Sequence, residues 1–251
     1  MSAFDLQGRR ALVTGAGSGI GQAIAVALAR AGADVAGVGR GAMDETAALV
    51  EGEGRRFVEL RADLSKMAEV RDVVPRAVAE GLPPDILINN AGIIRRADAT
   101  DFTEEDWVAV LDTNLKSVFF LTQAFARAVL AENRAAKVVN VASLLSFQGG
   151  VRVASYAAAK SGLAGLTRLL ANEWAARGIN VNAVAPGYVE TANTEALRDD
   201  PGRRAAILDR IPAGRWALPA DIAGAAVFLA SPAADYVHGV VLPVDGGWLG
   251  R

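Results

Sequence analysis

The chain has 251 residues, of which 52% are hydrophobic and 22% charged, and 26 basic against 28 acidic residues give a formal net charge of −2. No cysteine and a single histidine, His238, exclude disulfides, cysteine nucleophiles and multi-histidine metal sites, so we expect no bound metal. Near-neutral charge without a basic block argues against a nucleic-acid partner. No signal peptide is visible, and no apolar run approaches the about 20 residues of a membrane span, so we expect a cytoplasmic protein without a membrane partner.

Short apolar runs alternate with longer amphipathic segments along the chain. We predict strands at 11–14, 34–38, 57–60, 86–88, 137–141, 180–184 and 240–244, and helices that include 22–31, 67–80, 104–132 and 155–177. Apolar strands separated by helices are typical of a parallel sheet covered on both faces. We therefore predict a single domain over residues 1–251, a doubly wound, Rossmann-type α/β fold with a mostly parallel sheet of seven strands and helices on both faces.

Residues 188–215 form a polar segment without a strand pattern between the sixth and seventh predicted strands. A long irregular segment in a compact domain often covers a ligand site. We therefore expect a substrate lid there, and a solvated surface insertion is the alternative.

A glycine-rich turn follows the first predicted strand, with the sequence Gly15-Ala16-Gly17-Ser18-Gly19-Ile20-Gly21. A helix is predicted to begin directly after it. Glycines allow a sharp turn and a close backbone approach, and a helix N-terminus offers free N–H groups to a pyrophosphate. The spacing departs from the strict G-x-G-x-x-G pattern, because Ile20 occupies the place of the last glycine. The context predicts a dinucleotide-binding loop, and a tight turn without a ligand is the alternative.

The second predicted strand ends at Val38-Gly39-Arg40, with no acidic residue at its tip. Folds that bind NAD usually place an acid there, against the ribose hydroxyls. Arg40 could instead face the 2′-phosphate of NADP, or contact nothing, so this position leaves the choice of cofactor open.

Tyr156 and Lys160 stand four residues apart in a strongly helical segment, so both side chains project from one face of a helix. Ser143 follows the predicted strand 137–141, at the edge where α/β sheets bind ligands. A neighbouring ammonium stabilises a phenolate and lowers its pKa, and a serine hydroxyl can donate to a substrate oxygen that gains negative charge. With no usable histidine or cysteine, we predict that Tyr156 shuttles the proton. The alternative is a surface pair that only supports the helix.

These motifs together resemble the short-chain dehydrogenases/reductases over the whole chain. The matching pieces are residues 14–21, Asn89-Asn90-Ala91-Gly92, Asn114, Ser143, Tyr156 with Lys160, and Pro186-Gly187. The resemblance implies a nicotinamide-dependent oxidoreductase in which Tyr156 is the general acid/base and Lys160 tunes it while holding the nicotinamide ribose. It implies that Ser143 orients the substrate carbonyl and that Asn114 positions a water in a proton relay.

The resemblance also implies the residues that bind the cofactor. Contacts are expected from Gly15, Ser18, Gly19, Ile20, Gly21, Asp63, Leu64, Asn90, Ala91, Gly92, Tyr156, Lys160, Pro186, Val189 and Thr191, with Arg40 as an additional candidate. Asp63 and Leu64 would lie at the adenine, and Pro186, Val189 and Thr191 at the nicotinamide carboxamide. Asn90 and Asn114 could also cap backbone groups. The family further implies a homotetramer, in which the apolar segment 237–249 is either a subunit contact or the last core strand.

Four stretches, residues 92–96, 143–152, 208–216 and 244–249, resemble one subgroup of this family. That subgroup acts on keto-deoxy sugar acids of the 2-dehydro-3-deoxy-D-gluconate and 2-deoxy-D-gluconate type, in hexuronate and pectin breakdown, and usually uses NAD. We therefore expect NAD as cofactor, with NADP as the alternative. A gluconate 5-dehydrogenase, a 3-oxoacyl-carrier-protein reductase and a non-catalytic dinucleotide-sensing scaffold are the other readings. Intact acid–base residues argue against the scaffold.

A sugar-acid substrate needs a cation near the reacting atoms, and an arginine can bind a carboxylate through two hydrogen bonds. Arg152 lies between Ser143 and Tyr156 in the sequence, and Arg95 and Arg96 follow the predicted cofactor loop. We predict substrate contacts from these arginines and from Ser143 and Gln148. A solvent-exposed arginine without a ligand is the alternative for each.

Overall fold

The computed structural model describes residues 2–251, and a sheet of seven parallel strands lies at its centre. The strands are β1 (Arg10–Thr14), β2 (Asp34–Gly39), β3 (Phe57–Arg61), β4 (Ile86–Asn89), β5 (Ala136–Val141), β6 (Ile179–Pro186) and β7 (Val241–Val244). Their spatial order is β3-β2-β1-β4-β5-β6-β7, so the order reverses between β1 and β4. This confirms the predicted fold class, and all seven predicted strands are present with ends shifted by at most about two residues.

Helices cover both faces of the sheet. They are α1 (Gly19–Arg30), α2 (Asp44–Gly52), α3 (Met67–Ala79), α4 (Glu104–Leu111), α5 (Ser117–Ala131), α6 (Ala154–Trp174), α7 (Glu195–Arg198), α8 (Pro201–Leu208) and α9 (Pro219–Ala230). Among the described residues, no helix is long and apolar enough to cross a lipid bilayer.

The hydrophobic core has two layers, because successive residues of a strand point to opposite faces. On one face Val13 and Ile88 pack with residues of α1 and α9, and on the other Leu12 and Leu87 pack with residues of α3, α5 and α6. β1 pairs with both neighbours in register, Val13 opposite Gly37 of β2 and opposite Ile88 of β4. The strand ends that carry the predicted functional residues are therefore held at one edge.

Two predicted segments differ from the structure. The predicted helix 104–132 is divided into α4, a π-helical turn at Asp112–Lys116 and α5. The extra residue of the wider turn re-aims the side chains within it. Residues 188–215 are also less irregular than predicted, since they contain a 3₁₀ turn at Ala192–Thr194 and the helices α7 and α8.

The two ends of this segment are joined by backbone hydrogen bonds. Ala217 N–H donates to the Tyr188 carbonyl and Glu190 N–H donates to the Ala217 carbonyl, at 2.9 and 2.8 Å. Both ends of the segment 188–215 are therefore held next to each other, beside β6.

Candidate active site

A cleft lies at the carboxyl edge of the sheet, between the ends of the central strands and the segment that follows β6. It is lined by Ile20, Asn90, Gly92, Val141, Ala142, Ser143, Tyr156, Lys160, Pro186, Gly187, Val189, Thr191, Asn193 and Thr194. Open α/β sheets bind ligands at this edge, near the point where the strand order reverses.

Tyr156 and Lys160 enter the cleft from the first two turns of α6. The Lys160 Nζ lies 5.5 Å from the centroid of the Tyr156 ring, as expected for side chains one helical turn apart. The same ammonium donates a 2.6 Å hydrogen bond to the Val141 carbonyl at the end of β5. Lys160 is 4% exposed, and burial lowers its pKa from 10.5 to about 8. It is therefore mostly cationic at neutral pH and still able to lose its proton.

Burial also raises the pKa of Tyr156, because a low-dielectric site disfavours the phenolate. Two groups act in the opposite direction: a hydrogen bond from Ser143 and the positive charge of Arg96 both lower that pKa. Ser143 is fixed at the start of a 3₁₀ turn, where its Oγ accepts a 3.2 Å hydrogen bond from Leu145 N–H. Its own proton remains free to donate towards the phenol or a substrate oxygen.

Asn114 lies on the π-helical turn and is fully buried. Its Oδ1 accepts from Ile93 N–H at 2.9 Å, and its Nδ2 donates to the Ile93 carbonyl at 2.8 Å. The side chain thus ties the turn between α4 and α5 to the loop after β4. The backbone-capping role considered for Asn114 is present, and its predicted role in a proton relay remains a prediction.

The backbone of the glycine loop between β1 and α1 packs closely against its neighbours, and this packing bears on whether a dinucleotide can bind there. Gly15 has φ +66°, and a Cβ there would lie 2.8 Å from Nδ2 of Asn90; a Cβ on Gly21 would overlap the Gly15 carbonyl. The Asn90 amide in turn donates to the carbonyls of Thr14 and Gly15, at 3.0 and 3.2 Å. A side chain would disrupt this close backbone packing. The loop presents bare backbone at the N-terminus of a 12-residue helix, which suits a pyrophosphate.

Thr14 connects this loop to the one after β4. Its Oγ1 accepts hydrogen bonds from the N–H groups of Asn90 and Ala91, at 2.9 and 3.0 Å, and donates to the Ile88 carbonyl at 3.3 Å. Sequence reasoning did not single out Thr14, although its position at the end of a strand before glycines was a usable signal.

The remaining predicted cofactor residues lie along the same edge, towards β2 and β3. Ser18 is exposed and precedes α1, and Arg40 is exposed directly after β2. Asp63 and the buried Leu64 follow β3. Hydrogen bonds from the Ser65 hydroxyl and N–H lower the pKa of Asp63, and the charge of Arg40 contributes. An extended ligand could therefore reach from these residues to Tyr156.

Comparison with known proteins identifies the chain. The family model described as enoyl-(acyl carrier protein) reductase matches residues 15–249. The 2-dehydro-3-deoxy-D-gluconate 5-dehydrogenase of Escherichia coli (strain K12) is 55% identical over 251 residues, covering 100% of this chain and 99% of that protein. The protein of that name from Bacillus subtilis (strain 168) is 55% identical over 250 residues, covering 99% and 98%. The chain belongs to the short-chain dehydrogenase/reductase family.

The chain is also similar to solved structures of this family. One from Agrobacterium tumefaciens with bound NADP, provisionally named a 2-deoxy-D-gluconate 3-dehydrogenase, is 61% identical and covers 100% of both chains with a TM-score of 0.96. These matches confirm the predicted family and the predicted class of enzyme, an NAD(P)-dependent oxidoreductase that acts on CH–OH groups.

Three arginines were predicted as ligands of the substrate carboxylate, and in the structure each of the three makes different contacts. Arg95 pairs with Asp106 at 3.0 Å, and Arg152, which has φ +64°, pairs with Asp98 at 3.2 Å. Arg96 has no ion pair among residues 2–251, and its Nη2 donates to the Asn193 carbonyl at 2.8 Å. Of the three, only Arg96 contributes to the pKa of Tyr156.

Gln148 is half-buried, and its Oε1 accepts a 3.1 Å hydrogen bond from Nε1 of Trp248. Sequence reasoning missed the contribution of Asn193 and Thr194 to the cleft. The Thr191-to-Thr194 spacing of a capping box, which the structure contains, was the available signal.

Proposed function

We propose that this dehydrogenase transfers a hydride between a nicotinamide cofactor and a keto-deoxy sugar acid of the 2-dehydro-3-deoxy-D-gluconate or 2-deoxy-D-gluconate type. The observation that carries the proposal is the hydrogen bond from Arg96, an exposed cation without an ion pair among the described residues, to the carbonyl of Asn193, which lines the cleft with Tyr156. The positive charge of Arg96 also lowers the pKa of Tyr156. A substrate with a carboxylate and an oxidisable hydroxyl matches both groups. The names of the relatives at 55% identity support the same substrate class.

Proton transfer falls to Tyr156 in this proposal. In the oxidative direction its phenolate accepts the proton of the substrate hydroxyl, and in the reductive direction its phenol donates that proton. The Lys160 ammonium stabilises the phenolate, and Ser143 donates to the substrate oxygen as negative charge develops there. When bound, the nicotinamide cofactor supplies or accepts the hydride. Asn114 holds the loop after β4 through Ile93, which keeps the floor of the cleft in place.

The cofactor is proposed to lie along the carboxyl edge, with its pyrophosphate on the glycine loop. We propose NAD as the cofactor, because the subgroup that the sequence resembles usually uses NAD. We propose that NADP is also accepted, because Arg40 and no carboxylate stands directly after β2. The predicted contacts of Ser18, Ile20, Asp63, Leu64, Asn90, Ala91, Gly92, Pro186, Val189 and Thr191 belong to this proposal. Bound NADP in a structure 61% identical to this chain is consistent with a site that accepts the 2′-phosphate.

Steady-state kinetics with both cofactors test these points. Purified enzyme with 2-deoxygluconate and NAD should raise the absorbance of the reduced nicotinamide, and NADP should give a measurable rate. Arg40→Ser should raise KM for NADP by about tenfold, the size of one lost charge-assisted hydrogen bond, and change KM for NAD less than twofold. A flat trace with both cofactors across several sugar acids would refute the proposed function. Equal changes in the two KM values would refute the role of Arg40 alone.

Arg96→Gln should raise KM for the sugar acid by about tenfold or more, because the charge-assisted contact to the carboxylate is lost. The positive charge of Arg96 lowers the pKa of Tyr156, so its removal should move that pKa upwards. The rise of the oxidation rate with pH should therefore shift to higher pH.

Arg152→Gln and Arg95→Gln are matched controls, since both arginines already pair with a carboxylate. If Arg152→Gln raised KM as much as Arg96→Gln, the sequence-based choice of Arg152 would be supported and the assignment to Arg96 would fail.

Residues 188–215 are proposed to cover the substrate, because Val189, Thr191, Asn193 and Thr194 line the cleft and Arg96 holds the Asn193 carbonyl. The enzyme is proposed to act in the cytoplasm.

A homotetramer is also proposed, supported by the exposed apolar side chains of Trp107 and Val108 on α4 and Leu169 on α6. Segment 237–249 contains the strand β7, and Trp248 is buried within its own chain. Light scattering on the purified protein should give four times the chain mass of 26.0 kDa; a monomer mass would exclude the proposed assembly.

A further inference from the structure

The C-terminal 3₁₀ turn Trp248–Gly250 folds back against the segment that follows Ser143. Trp248 is 4% exposed and lies in a cluster of buried side chains with Leu144, Ile207, Ile211 and Trp216. Its indole Nε1 donates a 3.1 Å hydrogen bond to Oε1 of Gln148, one hundred residues earlier in the chain. Trp248 therefore contacts the segment that follows Ser143.

The segment 144–148 is rigidly attached to the catalytic helix. Ser146 Oγ donates to the Lys160 carbonyl at 2.7 Å, and Ser161 Oγ donates to the Leu145 carbonyl at 3.1 Å. Gln148 N–H donates back to the Leu144 carbonyl at 3.2 Å. These hydrogen bonds hold the backbone of Gln148 relative to Tyr156 and Ser143. Only the side-chain torsion angles of Gln148 remain variable.

The bond to Trp248 sets which end of the Gln148 amide is available. An indole N–H only donates, so it must meet the amide oxygen. The Nε2 of Gln148 then keeps two N–H groups that the side chain can offer to a ligand, while its Oε1 already accepts one hydrogen bond. These two donors suit hydroxyl and carboxylate oxygens, which are the acceptors that a sugar acid carries.

A cation and an aromatic ring both contact the indole of Trp248. The Arg210 guanidinium lies 4.0 Å from the centroid of its ring, and the Tyr188 ring lies 4.8 Å away on a tilted plane. Cation–π and aromatic contacts of this kind restrict the orientation of the indole. Tyr188 directly follows Gly187, which lines the cleft. The orientation of the indole N–H is therefore restricted by two residues of the segment 188–215, Tyr188 and Arg210.

We propose that Trp248 is a positioning residue for substrate recognition: it orients the Gln148 amide so that Gln148 donates to a hydroxyl or carboxylate oxygen of the sugar acid. The proposal rests on the proposed function and adds to it a residue of the C-terminal turn. The lining of the cleft already includes the polar side chains of Ser143, Asn193 and Thr194, and Gln148, five residues after Ser143, would add a donor beside them.

Trp248→Phe tests the proposal, because it keeps an aromatic ring and removes the N–H group. KM for 2-deoxygluconate should rise about fivefold, the size of one neutral hydrogen bond, while kcat falls much less and KM for the cofactor changes less than twofold. Trp216→Phe is the matched control. Trp216 lies in the same cluster, and its Nε1 has no hydrogen-bond partner among residues 2–251. Equal rises of KM in the two variants would show that ring packing is responsible and would overturn the proposal.

A double-mutant cycle with Gln148→Ala separates a positioning role from direct binding. If Trp248 acts through Gln148, Trp248→Phe should leave KM unchanged in the Gln148→Ala background, and a further fivefold rise there would overturn the proposal.

Gln148→Glu gives an independent check should Trp248→Phe fold poorly. It keeps an acceptor for the indole and replaces the two donors by an anionic oxygen, so KM for the sugar acid should rise at least tenfold; an unchanged KM overturns the proposal. A failure of the proposed function would already show in the wild type, as no turnover of any sugar acid, whereas a failure of this proposal shows only in the variants.

Discussion

Tyr156→Phe is expected to lower kcat by about a thousandfold, within the range measured for the loss of a positioned acid or base. The variant keeps the ring that lies 5.5 Å from Lys160 Nζ and loses only the hydroxyl that exchanges a proton with the substrate. No other phenol, thiol or imidazole lines the described cleft, and Lys160, which does line it, is held by its hydrogen bond to the Val141 carbonyl. Initial rates with a sugar acid and NAD or NADP measure the loss.

Cofactor binding should survive in this variant, because the glycine loop and the loops after β2 and β3 are unaltered. Fluorescence titration with reduced nicotinamide should give a Kd within about threefold of the wild type, which is less than the effect of one hydrogen bond. Tyr236→Phe is the matched control, since Tyr236 is 99% exposed and is not among the residues that line the cleft. A Tyr156→Phe enzyme that kept a tenth of the wild-type kcat would remove Tyr156 from its role as acid and base.

The acid–base residues could be placed from the sequence because each follows a local rule. Tyr156 and Lys160 needed only the helical spacing of four, and Ser143 needed only the rule that ligands bind at the carboxyl ends of parallel strands. The two rules meet in space because β5 and α6 are neighbours in the chain. The structure then adds what spacing cannot show, that the Lys160 ammonium is anchored to the Val141 carbonyl.

Other features depended on residues that are distant in the sequence. The π-helical turn at Asp112–Lys116 lies within a continuous apolar pattern, so an extra residue per turn leaves no periodic signal. Helix α9 is rich in alanine and is apolar around most of its circumference, so it lacked the one-sided pattern that predicts a surface helix. The pairing of Arg152 with Asp98, and the absence of an ion pair for Arg96 within residues 2–251, depend on how the loops after β4 and β5 approach each other.

Asp85→Asn is expected to lower the free energy of unfolding by about 3 kcal/mol, the lower end of the range for breaking a buried ion pair. The Asp85 carboxylate is 5% exposed and lies directly before β4. It accepts hydrogen bonds from Nε and Nη2 of Arg10 at 2.9 and 3.0 Å, and from Nη1 of Arg134 at 2.6 Å. An asparagine would turn an N–H₂ group towards one guanidinium and leave Arg10 without a counter-charge, while Arg134 keeps its 2.6 Å pair with Glu132. The arginine side chains are 32% and 21% exposed, so water offsets part of this cost.

The position of Asp85 separates this effect from catalysis. Arg10 begins β1, Asp85 precedes β4, and Arg134 lies in the turn before β5, so the cluster joins three strands at the edge of the sheet opposite the cleft. Denaturant unfolding should show a lower midpoint at an unchanged m-value, while kcat and KM of the folded enzyme at 25 °C stay within twofold of the wild type.

Asp235→Asn is the matched control: Asp235 pairs with Lys137 at 2.6 Å, but its side chain is 72% exposed, so its loss should cost at most about 0.5 kcal/mol. If both variants lost the same free energy of unfolding, burial would not make the ion pairs of Asp85 stronger than the exposed pair of Asp235. A fall in kcat for Asp85→Asn at full folding would mean that the two edges of the sheet are coupled.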